Sequence, residues 1–444
     1  MYTPQIEPVS TITLPEPKVN FLILRAFRSI MRPFARFLKF AEPQILFPER
    51  MVDQWHDFNQ GKTRLLLGFR HAYGDDPQLM VYTIHKSLPK YARKIQRPLR
   101  ALSHVHFVYG TEVPLWSGKF VRWVLPKGGA LPVNHVRMDS VGMGRIRKTL
   151  LNGDFPIALA PEGHVTHSSE TVDDLETGTA RFCFWCLEDL AKQNRNEKMI
   201  FLPISLHYRY HEKSRYTLSN MIAQMEKECA LETRLQTSRK DLQIPQRLQR
   251  LGSKIIALLA DFYATEDHSG PEAQASILEA SLCACERMYS LPHDGTPAMR
   301  IYRVRSSAWD RLFRSDLTTL SPLEKELAGR QSGEAWYAMR HLETSGILYQ
   351  VNLTEIPETA SLEHYIEIAN NFYDLMERLK GGTLRNRPNF FKKYPIIIPG
   401  KPVVMNDFLD LYRKNKKAAF EEATALFRER YLDCIAEYRN IFPL

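Results

Sequence analysis

The chain has few cysteines, no apolar run long enough to cross a bilayer, and no internal repeat. Six cysteines among 444 residues do not make a disulfide framework, and no secretory leader is recognisable, so we expect a reducing, cytoplasmic setting. The lack of repeats and low-complexity tracts excludes solenoid and disordered classes. With 44% hydrophobic and 25% charged residues, the chain can bury a large core.

Acidic residues are scarce in one region. The net charge is +10, and residues 90–148 contain twelve lysines and arginines but only two acids, Glu112 and Asp139. This region predicts contact with an anionic partner, such as anionic lipid, a phosphorylated substrate or an acidic carrier protein. A solvated basic face is the simpler interpretation. Since no recognisable nucleic-acid-binding module accompanies the charges, we expect no nucleic-acid partner.

Acids are also absent from residues 18–41, where cations recur at spacings of three and four. This spacing places them along one stripe of a helix, and apolar residues fill most other positions. We predict that residues 1–50 form an arm and a basic amphipathic helix that docks on anionic membrane lipid. A helix packed on its own domain is the alternative. The stripe consists of Arg25, Arg28, Arg32, Arg36 and Lys39.

Short apolar runs separated by glycine, proline and aspartate occupy residues 61–210. The runs TRLLLGF, FVRWVLP, FPIALAP and MIFLPISLHY are typical of buried strands, and they alternate with helical stretches near 77–97 and 178–193. We therefore predict an α/β catalytic core over 51–212, built as a mixed, mostly parallel sheet flanked by helices.

The rest of the chain is predominantly helical in pattern. Residues 213–390 predict a large helical insertion or second domain of unknown role. In 391–444, YPIIIPGKPVVM predicts strand, turn and strand, followed by a helix that packs on the core.

The hexapeptide HAYGDD places His71 and Asp76 five positions apart. At that spacing the two side chains meet neither on a helix nor on a strand, so they can cooperate only across a turn. Gly74 is expected to supply the freedom for this turn, and Asp-Asp-Pro is a good helix start. A carboxylate that accepts from Nδ1–H leaves Nε2 free to take a proton from a hydroxyl.

This pair lacks a protein nucleophile. No G-x-S-x-G elbow is present, so the expected nucleophile is an alcohol on the substrate. Two plainer interpretations stay open: Asp76 could only cap a helix, or Asp75 could be the partner of His71.

Other candidate clusters favour structural roles. Cys183 and Cys186 have C-x-x-C spacing, but their apolar neighbours predict a buried helix face. The histidine pairs His104/His106 and His207/His211 lack a third ligand at metal spacing. We expect neither a metal nor a bound cofactor.

From residue 60 to 210 the chain resembles the glycerol-3-phosphate and lysophosphatidate acyltransferase family, with its blocks in order. His71 to Asp76 match the H-x-x-x-x-D motif, GGALPVNH (128–135) is similar to the second block, and IALAPEGHVTHS (157–168) is similar to the F-P-E-G-T-R-S block. LETGTARFCFW and FLPISLHY resemble the helix and strand that follow. PGKPVVMNDFLDLYRKNKKAAFEEAT resembles a later strand and helix.

The resemblance implies acyl transfer from acyl-CoA or acyl carrier protein to a hydroxyl of glycerol-3-phosphate or a lysophospholipid. His71 would be the general base and Asp76 its orienting carboxylate. Glu162 and Gly163 would shape the acceptor site, with a hydroxyl bonded to the carboxylate and an anion near the glycine backbone. His135, Arg137 and Thr166 would complete the substrate contacts. The enzyme would lie peripherally on the inner face of the membrane.

Three positions depart from the family pattern. Arg70 stands where asparagine usually precedes the histidine, and His135 replaces the arginine that closes the second block. His164-Val165-Thr166 replaces T-R-S, so an arginine that would bind phosphate is missing. Either the acceptor has a different head group, or phosphate is contacted by Arg137, Arg145 or Lys148.

Three rival functions remain compatible with these residues. A catalytically silent member would bind or scaffold on a lipid surface. A hydrolase would use water activated by His71 and release free fatty acid. A nucleic-acid-binding protein would show steeply salt-dependent retention on nucleic acid.

Overall fold

The structure is a computed structural model that describes residues 8–10, 16–111, 113–134, 139–231, 243–382, 387 and 389–443. The contacts divide the chain into two compact units. The sheet unit comprises residues 14–210 and 392–444, and the helical unit comprises residues 1–13 and 211–391.

The described residues form ten strands. They are β1 (Val9–Ser10), β2 (Gln44–Ile45), β3 (Thr63–Phe69), β4 (His106–Gly110), β5 (Leu131–Val133), β6 (Ile157–Leu159), β7 (Lys198–Arg209), β8 (Phe313–Arg314), β9 (Tyr394–Pro399) and β10 (Val403–Val404). Strands β1 and β8 pair in the helical unit, and the other eight form the sheet of the sheet unit.

The same described ranges contain sixteen α-helices. In the sheet unit they are α1 (Phe21–Phe37), α2 (Pro48–Asn59), α3 (Asp76–Tyr82), α4 (Leu88–Lys94), α5 (Val113–Trp116), α6 (Lys119–Lys127), α7 (Ser140–Asn152), α8 (Gly178–Lys192), α15 (Leu409–Lys414) and α16 (Lys416–Ile441). In the helical unit they are α9 (Ser214–Glu228), α10 (Ile244–Tyr263), α11 (Gly270–Tyr289), α12 (Pro297–Leu312), α13 (Pro322–Gln350) and α14 (Leu362–Leu379). A π-helical turn (Thr83–Ser87) joins α3 to α4, and a 3-10 turn (Met405–Phe408) precedes α15.

The sheet is mixed and mostly parallel, as the sequence predicted. Its order is β2, β9, β7, β3, β6, β4, β5, with β10 also paired to β7. The five strands from β7 to β5 run parallel, while β9 and β10 are antiparallel to β7. Because β3, β6 and β4 are neighbours and parallel, the segments that follow them share one edge of the sheet.

The centre of the sheet is covered by α16. The rings of Phe201 on β7 and Phe427 on α16 stack at 3.8 Å, and the Tyr431 hydroxyl donates to the carbonyl of Gly68 at 2.8 Å. A Cβ at Gly68 would lie 2.5 Å from both the Phe201 ring and the Tyr431 hydroxyl. Glycine therefore lets α16 approach β3, and α16 contributes Ala419, Phe427 and Tyr431 to the core of the sheet unit.

One strand prediction was wrong. FVRWVLP lies in α6, with none of its residues buried. The run is apolar at positions 120, 121, 124 and 125, which is a helical spacing as well as a strand-like one. Gly118 and Gly128 flank the helix. Apolar content alone did not distinguish the two structures.

Helix α1 confirms the predicted N-terminal helix. The Asn20 side chain caps it by accepting from the N–H groups of Leu22 and Ile23 at 3.1 Å. Leu24, Met31 and Ala35 are buried, so one face of the helix packs on its own unit. Among the helices of the described ranges, none is both long and apolar enough to cross a membrane.

The periodic stretches of residues 213–390 form helices, as expected. Helices α11, α12 and α13 pack together around a small apolar core that includes Leu282, Val304 and Leu342. Helix α13 begins at a reciprocal capping box formed by Ser321 and Glu324.

Candidate active site

The structure brings His71 and Asp76 together across a turn, as the sequence predicted. Strand β3 ends at Phe69 and α3 begins at Asp76. The Asp76 side chain is fully buried, and its Oδ2 lies 3.4 Å from Nδ1 of His71. The His71 side chain keeps 19% of its surface exposed. The pair therefore combines a buried carboxylate with an imidazole that solvent can reach.

Two further donors fix the Asp76 carboxylate. The backbone N–H of Tyr73 donates to Oδ2 at 2.7 Å, and the Tyr208 hydroxyl donates to Oδ1 through a short hydrogen bond. A carboxylate that only accepts favours the His71 tautomer with the proton on Nδ1, which leaves Nε2 as an acceptor. In the described part of the chain no group hydrogen-bonds Nε2. His71 is thus arranged to accept a proton from a bound molecule.

Asp75 has a different partner, which resolves the alternative raised by the sequence. Its carboxylate pairs with Nζ of Lys393, just before β9. Gly74 does not play the expected role, because its φ is outside the left-handed region and no described atom lies within 4 Å of a Cβ built there. The turn forms through the hydrogen bonds of Asp76, and an alanine would fit at position 74.

Sequence reasoning missed Tyr208. It lies near the end of β7, 132 positions after Asp76, and its ring meets that of Tyr73 edge-on at 5.2 Å. Burial raises the pKa of Tyr208 well above its usual value, and the nearby Asp76 acts in the same direction. The hydroxyl therefore stays protonated and acts as a permanent donor to the carboxylate. Nothing in the local sequence distinguishes this tyrosine from a core residue.

Glu162 does not occupy the position that the resemblance implied. Its side chain has no exposed surface, and Oε1 lies 3.7 Å from Nε of Arg70. Neither carboxylate oxygen has a hydrogen-bond donor among the described residues. Burial raises the pKa of Glu162, and Arg70 partly counteracts this. In this arrangement Glu162 is an internal counterion for Arg70 and does not reach a substrate hydroxyl.

Arg70, which replaces the expected asparagine, fastens the loop after β6 to the end of β3. It is buried, and its guanidinium donates to Ser169 O at 2.7 Å, to Ser168 O at 3.1 Å and to Thr171 O through a short bond. Sequence reasoning noted the substitution but did not predict this role. The residue before His71 therefore positions a loop of the site.

Gly163 is required for the shape of that loop. Its φ is +73°, a region that favours glycine, and an added Cβ would overlap the Glu176 carboxylate. Its N–H donates to Ala160 O at 3.2 Å, so this donor is engaged within the turn. The expected role in approaching an anion is therefore not seen in this geometry.

Thr166 and His164 also contact protein groups. The N–H of Thr166 donates to the carbonyl of His71 at 2.9 Å, which ties the loop to the candidate base. The Thr166 hydroxyl donates to Ser168 O at 3.1 Å, and the residue is buried. His164 Nε2 lies 2.9 Å from Asp173 Oδ2. Thr166 thus positions His71 and is not placed to touch a substrate.

Two predicted substrate contacts, His135 and Arg137, lie outside the described residues. Of the alternative phosphate contacts, Arg145 and Lys148 lie on α7. Arg145 lies close enough to Tyr109 on β4 to favour the ionised form of that tyrosine, although burial raises the pKa of Tyr109 to about 12.

The other histidine and cysteine clusters have structural partners. His85, His104 and the carbonyl of Gly128 form a buried chain with contacts of 3.0 and 2.7 Å. His207 contacts the Ser205 hydroxyl at 2.9 Å. Cys183 and Cys186 are buried in α8, as expected, and burial raises the pKa of Cys186 to about 12.

Among the described residues of the helical unit, one set of three potential metal ligands lies close together. One potential ligand atom each from Cys283, Glu286 and His293 lies within 4.8 Å of the others. The Arg300 guanidinium bonds both Glu286 and the Cys283 sulfur, at 2.8 and 3.5 Å. Because a guanidinium already neutralises this group, it is a poor site for a cation.

Comparison with protein-family models, with curated proteins and with solved structures gave no match.

Proposed function

We propose that the protein is an O-acyltransferase that moves a fatty acyl group from an acyl thioester to a glycerol hydroxyl. The single observation that carries the proposal is the pairing of an accessible His71 with a buried, triply contacted Asp76 at the carboxyl edge of a parallel sheet. Open α/β sheets place their ligands at this edge. The H-x-x-x-x-D resemblance agrees with this chemistry, and we propose that the mixed, mostly parallel sheet is a glycerolipid acyltransferase-like fold.

The proposed reaction needs no protein nucleophile. Nε2 of His71 accepts the proton of the acceptor hydroxyl while its oxygen attacks the thioester carbonyl. The new C–O ester bond forms, the C–S bond breaks, and the imidazolium returns the proton to the leaving thiolate. Asp76 stabilises the imidazolium between these two steps. No metal or redox group takes part in this proposal.

The acceptor is proposed as glycerol-3-phosphate or a lysophospholipid, and the donor as acyl-CoA or acyl carrier protein. The basic residues between 90 and 148 suit either the phosphates of CoA or the acidic surface of an acyl carrier protein. Val165 stands where the family arginine would bind phosphate, and Glu162 is an internal counterion. These two features favour a lysophospholipid over glycerol-3-phosphate as acceptor.

The proposed setting is the cytoplasmic face of a membrane. Helix α1 leaves Leu22, Ile30 and Phe37 exposed on the side opposite its buried residues. Such an apolar stripe beside a row of arginines is typical of helices that lie in the membrane interface.

The second candidate is a catalytically silent protein that binds or scaffolds on a lipid surface. It is favoured by the loop after β6, where the altered motif holds Glu162 and Gly163 in contacts within the protein. Vesicle binding does not separate the two candidates, because both predict it.

The test is transfer of a labelled acyl group from acyl-CoA or acyl carrier protein to a panel of acceptors. The panel includes glycerol-3-phosphate, lysophosphatidate and zwitterionic and neutral lysolipids, with His71→Ala and Asp76→Asn tested alongside. We expect the native protein to esterify at least one lysolipid, with a loss of about 10²- to 10⁴-fold in both variants. A native protein that is folded yet inactive with every pair would support the scaffold.

A further inference from the structure

Helix α6 is the crossover between the parallel strands β4 and β5, yet it does not bury a face on the sheet. Crossover helices in parallel sheets normally cover the strands with an apolar side. In α6 every residue is exposed or half-buried. Phe120 and Trp123 are the exposed apolar residues of α6, and its other apolar residues are half-buried.

The outward surface combines aromatic and cationic side chains. Phe120 and Trp123 are 60% and 49% exposed, and their rings lie 6.1 Å apart on adjacent turns. Nζ of Lys127 lies 4.7 Å from the Trp123 ring centre. Lys119, just before Phe120, and Arg122, between the two aromatic residues, are also exposed. The sequence contains no acid from residue 113 to residue 138, so the surface has a single sign of charge.

The backbone connects this surface to the start of α1. The N–H of Lys18 donates to Pro126 O at 2.9 Å, and the N–H of Asn20 donates to Lys127 O at 2.8 Å. The first turn of α1 begins at the next residue, with Phe21 49% and Leu22 75% exposed. The two helices are therefore linked, and we call their exposed apolar and cationic residues the docking face: Phe21, Leu22, Lys119, Phe120, Arg122 and Trp123.

Charge decides which occupant fits. A second copy of the chain would bring identical cationic faces together in a two-fold contact and would be repelled. An anionic bilayer attracts the lysine and arginine at its surface and accepts tryptophan and phenylalanine at the boundary between head groups and acyl chains. Side chains of both kinds on one short helix match that boundary.

We infer that the docking face binds an anionic membrane through α6 together with the first turn of α1. Strand β4 ends at the same edge of the sheet as β3, so α6 starts near the edge where His71 lies and ends at the opposite edge, beside the first turn of α1. Docking along α6 would lay the β5 side of the sheet against the lipid, with the edge that carries His71 at one end of the docking face. The inference rests on the proposed function for the use of that position, because the proposed acceptor is a lipid. Its test requires no turnover.

The primary test is sedimentation of the full chain with phosphatidylcholine vesicles that contain or lack phosphatidylglycerol. We expect Phe120→Ser/Trp123→Ser to lower the partition coefficient by at least about tenfold. The matched control is Leu323→Ser/Leu327→Ser, which removes two exposed apolar residues, four positions apart, from α13. The control should bind vesicles as the native chain does.

The role of the cationic residues and the depth to which Trp123 enters the bilayer are tested in separate experiments. Lys119→Gln and Arg122→Gln should each weaken binding to anionic vesicles by about fivefold, with little effect on zwitterionic ones. Brominated acyl chains should quench the native fluorescence, and Trp123→Phe should remove most of this quenching while Trp185→Phe does not. Vesicle binding that is equal for the native chain and for Phe120→Ser/Trp123→Ser would overturn the inference.

An alternative partner would also overturn it. If the same double variant loses binding to an acidic acyl carrier protein or to nucleic acid but keeps its vesicle affinity, the face docks that partner instead. The proposed acyl transfer is refuted by a different result, namely a native chain that binds vesicles but transfers no acyl group. His71→Ala should bind vesicles like the native chain, so the two failures are distinguishable.

Discussion

At the residue scale, the position of one proton governs the candidate site. Asp76 accepts from the Tyr73 N–H and the Tyr208 hydroxyl and faces Nδ1 of His71. With two of its contacts supplied by fixed donors, the carboxylate cannot rotate away from the imidazole. The tautomer of His71 is therefore set before any substrate binds, which lowers the cost of the first proton transfer.

Asp76→Asn should lower the rate of acyl transfer by about 10²- to 10⁴-fold, because an amide can donate to Nδ1 and favour the wrong tautomer. Asp75→Asn is the matched control, since its carboxylate pairs with Lys393 and not with His71. We expect that variant to stay within a few-fold of the native rate. Equal losses in the two variants, measured as kcat/KM, would contradict the assignment.

Arg70 and Glu162 should behave as one coupled unit. Arg70→Met leaves a buried carboxylate without its counterion, so the free energy of unfolding should fall by about 3–5 kcal/mol. Adding Glu162→Gln should recover part of this loss. Denaturant unfolding of both single variants and the double variant gives the coupling energy, which we expect to be about 1–3 kcal/mol. Strict additivity would mean that the two side chains act separately.

The sequence predicts His71 and Asp76 well because both lie in one hexapeptide, and it also showed that position 70 was unusual. It did not predict that Tyr208 completes the site, because that contact joins residues 132 positions apart. Nor did it predict the orientation of Glu162. A motif gives the identity of a carboxylate but not the direction of its side chain.

At the scale of elements, the loop after β6 depends on one glycine and the turn before α3 does not. Gly163→Ala should cost about 1–3 kcal/mol of unfolding free energy, because its φ is +73° and the new methyl group would meet Glu176. Gly74→Ala should be neutral or stabilise by about 0.4–1 kcal/mol. Thermal unfolding of both variants tests this contrast, and similar losses would refute it.

Buried histidines on the π-helical turn and next to it should make the stability of the sheet unit fall in acid. Burial lowers the pKa of His85 to about 4 and that of His104 to about 3. A histidine whose pKa is near 6.5 in the unfolded chain and about 4 in the folded protein stabilises the fold fully above pH 6.5. This contribution is lost as the pH falls from 6.5 towards 4, by about 3 kcal/mol for His85.

The stability of His85→Gln should therefore change less with pH in this range. His211→Gln removes an exposed histidine and should leave the native pH dependence unchanged. Denaturant unfolding at several pH values between 4 and 7.5 measures both. If the unfolding free energy of His85→Gln changes with pH as steeply as that of the native chain, His85 is not the source of the acid sensitivity.

Helices and strands were predicted correctly wherever the length of a segment and the periodicity of its apolar residues indicated the same structure. The heptapeptide TRLLLGF forms β3 over its whole length, and the long periodic segments after residue 243 form helices. The prediction failed for α6, because its outward apolar residues imitate a buried strand. Under the membrane-docking inference this failure has a physical origin, because apolar residues exposed for a lipid surface do not follow the rule that apolar runs are buried.

At the scale of the whole chain, the sheet of the sheet unit is assembled from distant segments. Strand β7 pairs with β3 on one side and with β9 on the other, and residues 211–391 of the helical unit lie between β7 and β9 in the sequence. The sequence predicted an interrupted core and a mostly parallel sheet. It could not predict strand order, since pairing depends on contacts between remote residues.

The central claim is that His71 activates a substrate alcohol for attack on an acyl thioester. The most direct measurement follows a labelled acyl thioester to its products, with and without a lysolipid acceptor, for the native chain and for His71→Ala. We predict that the label moves to the acceptor, that little free fatty acid forms without it, and that His71→Ala abolishes transfer. Release of free fatty acid at the same rate without acceptor, or undiminished transfer by His71→Ala, would contradict the claim.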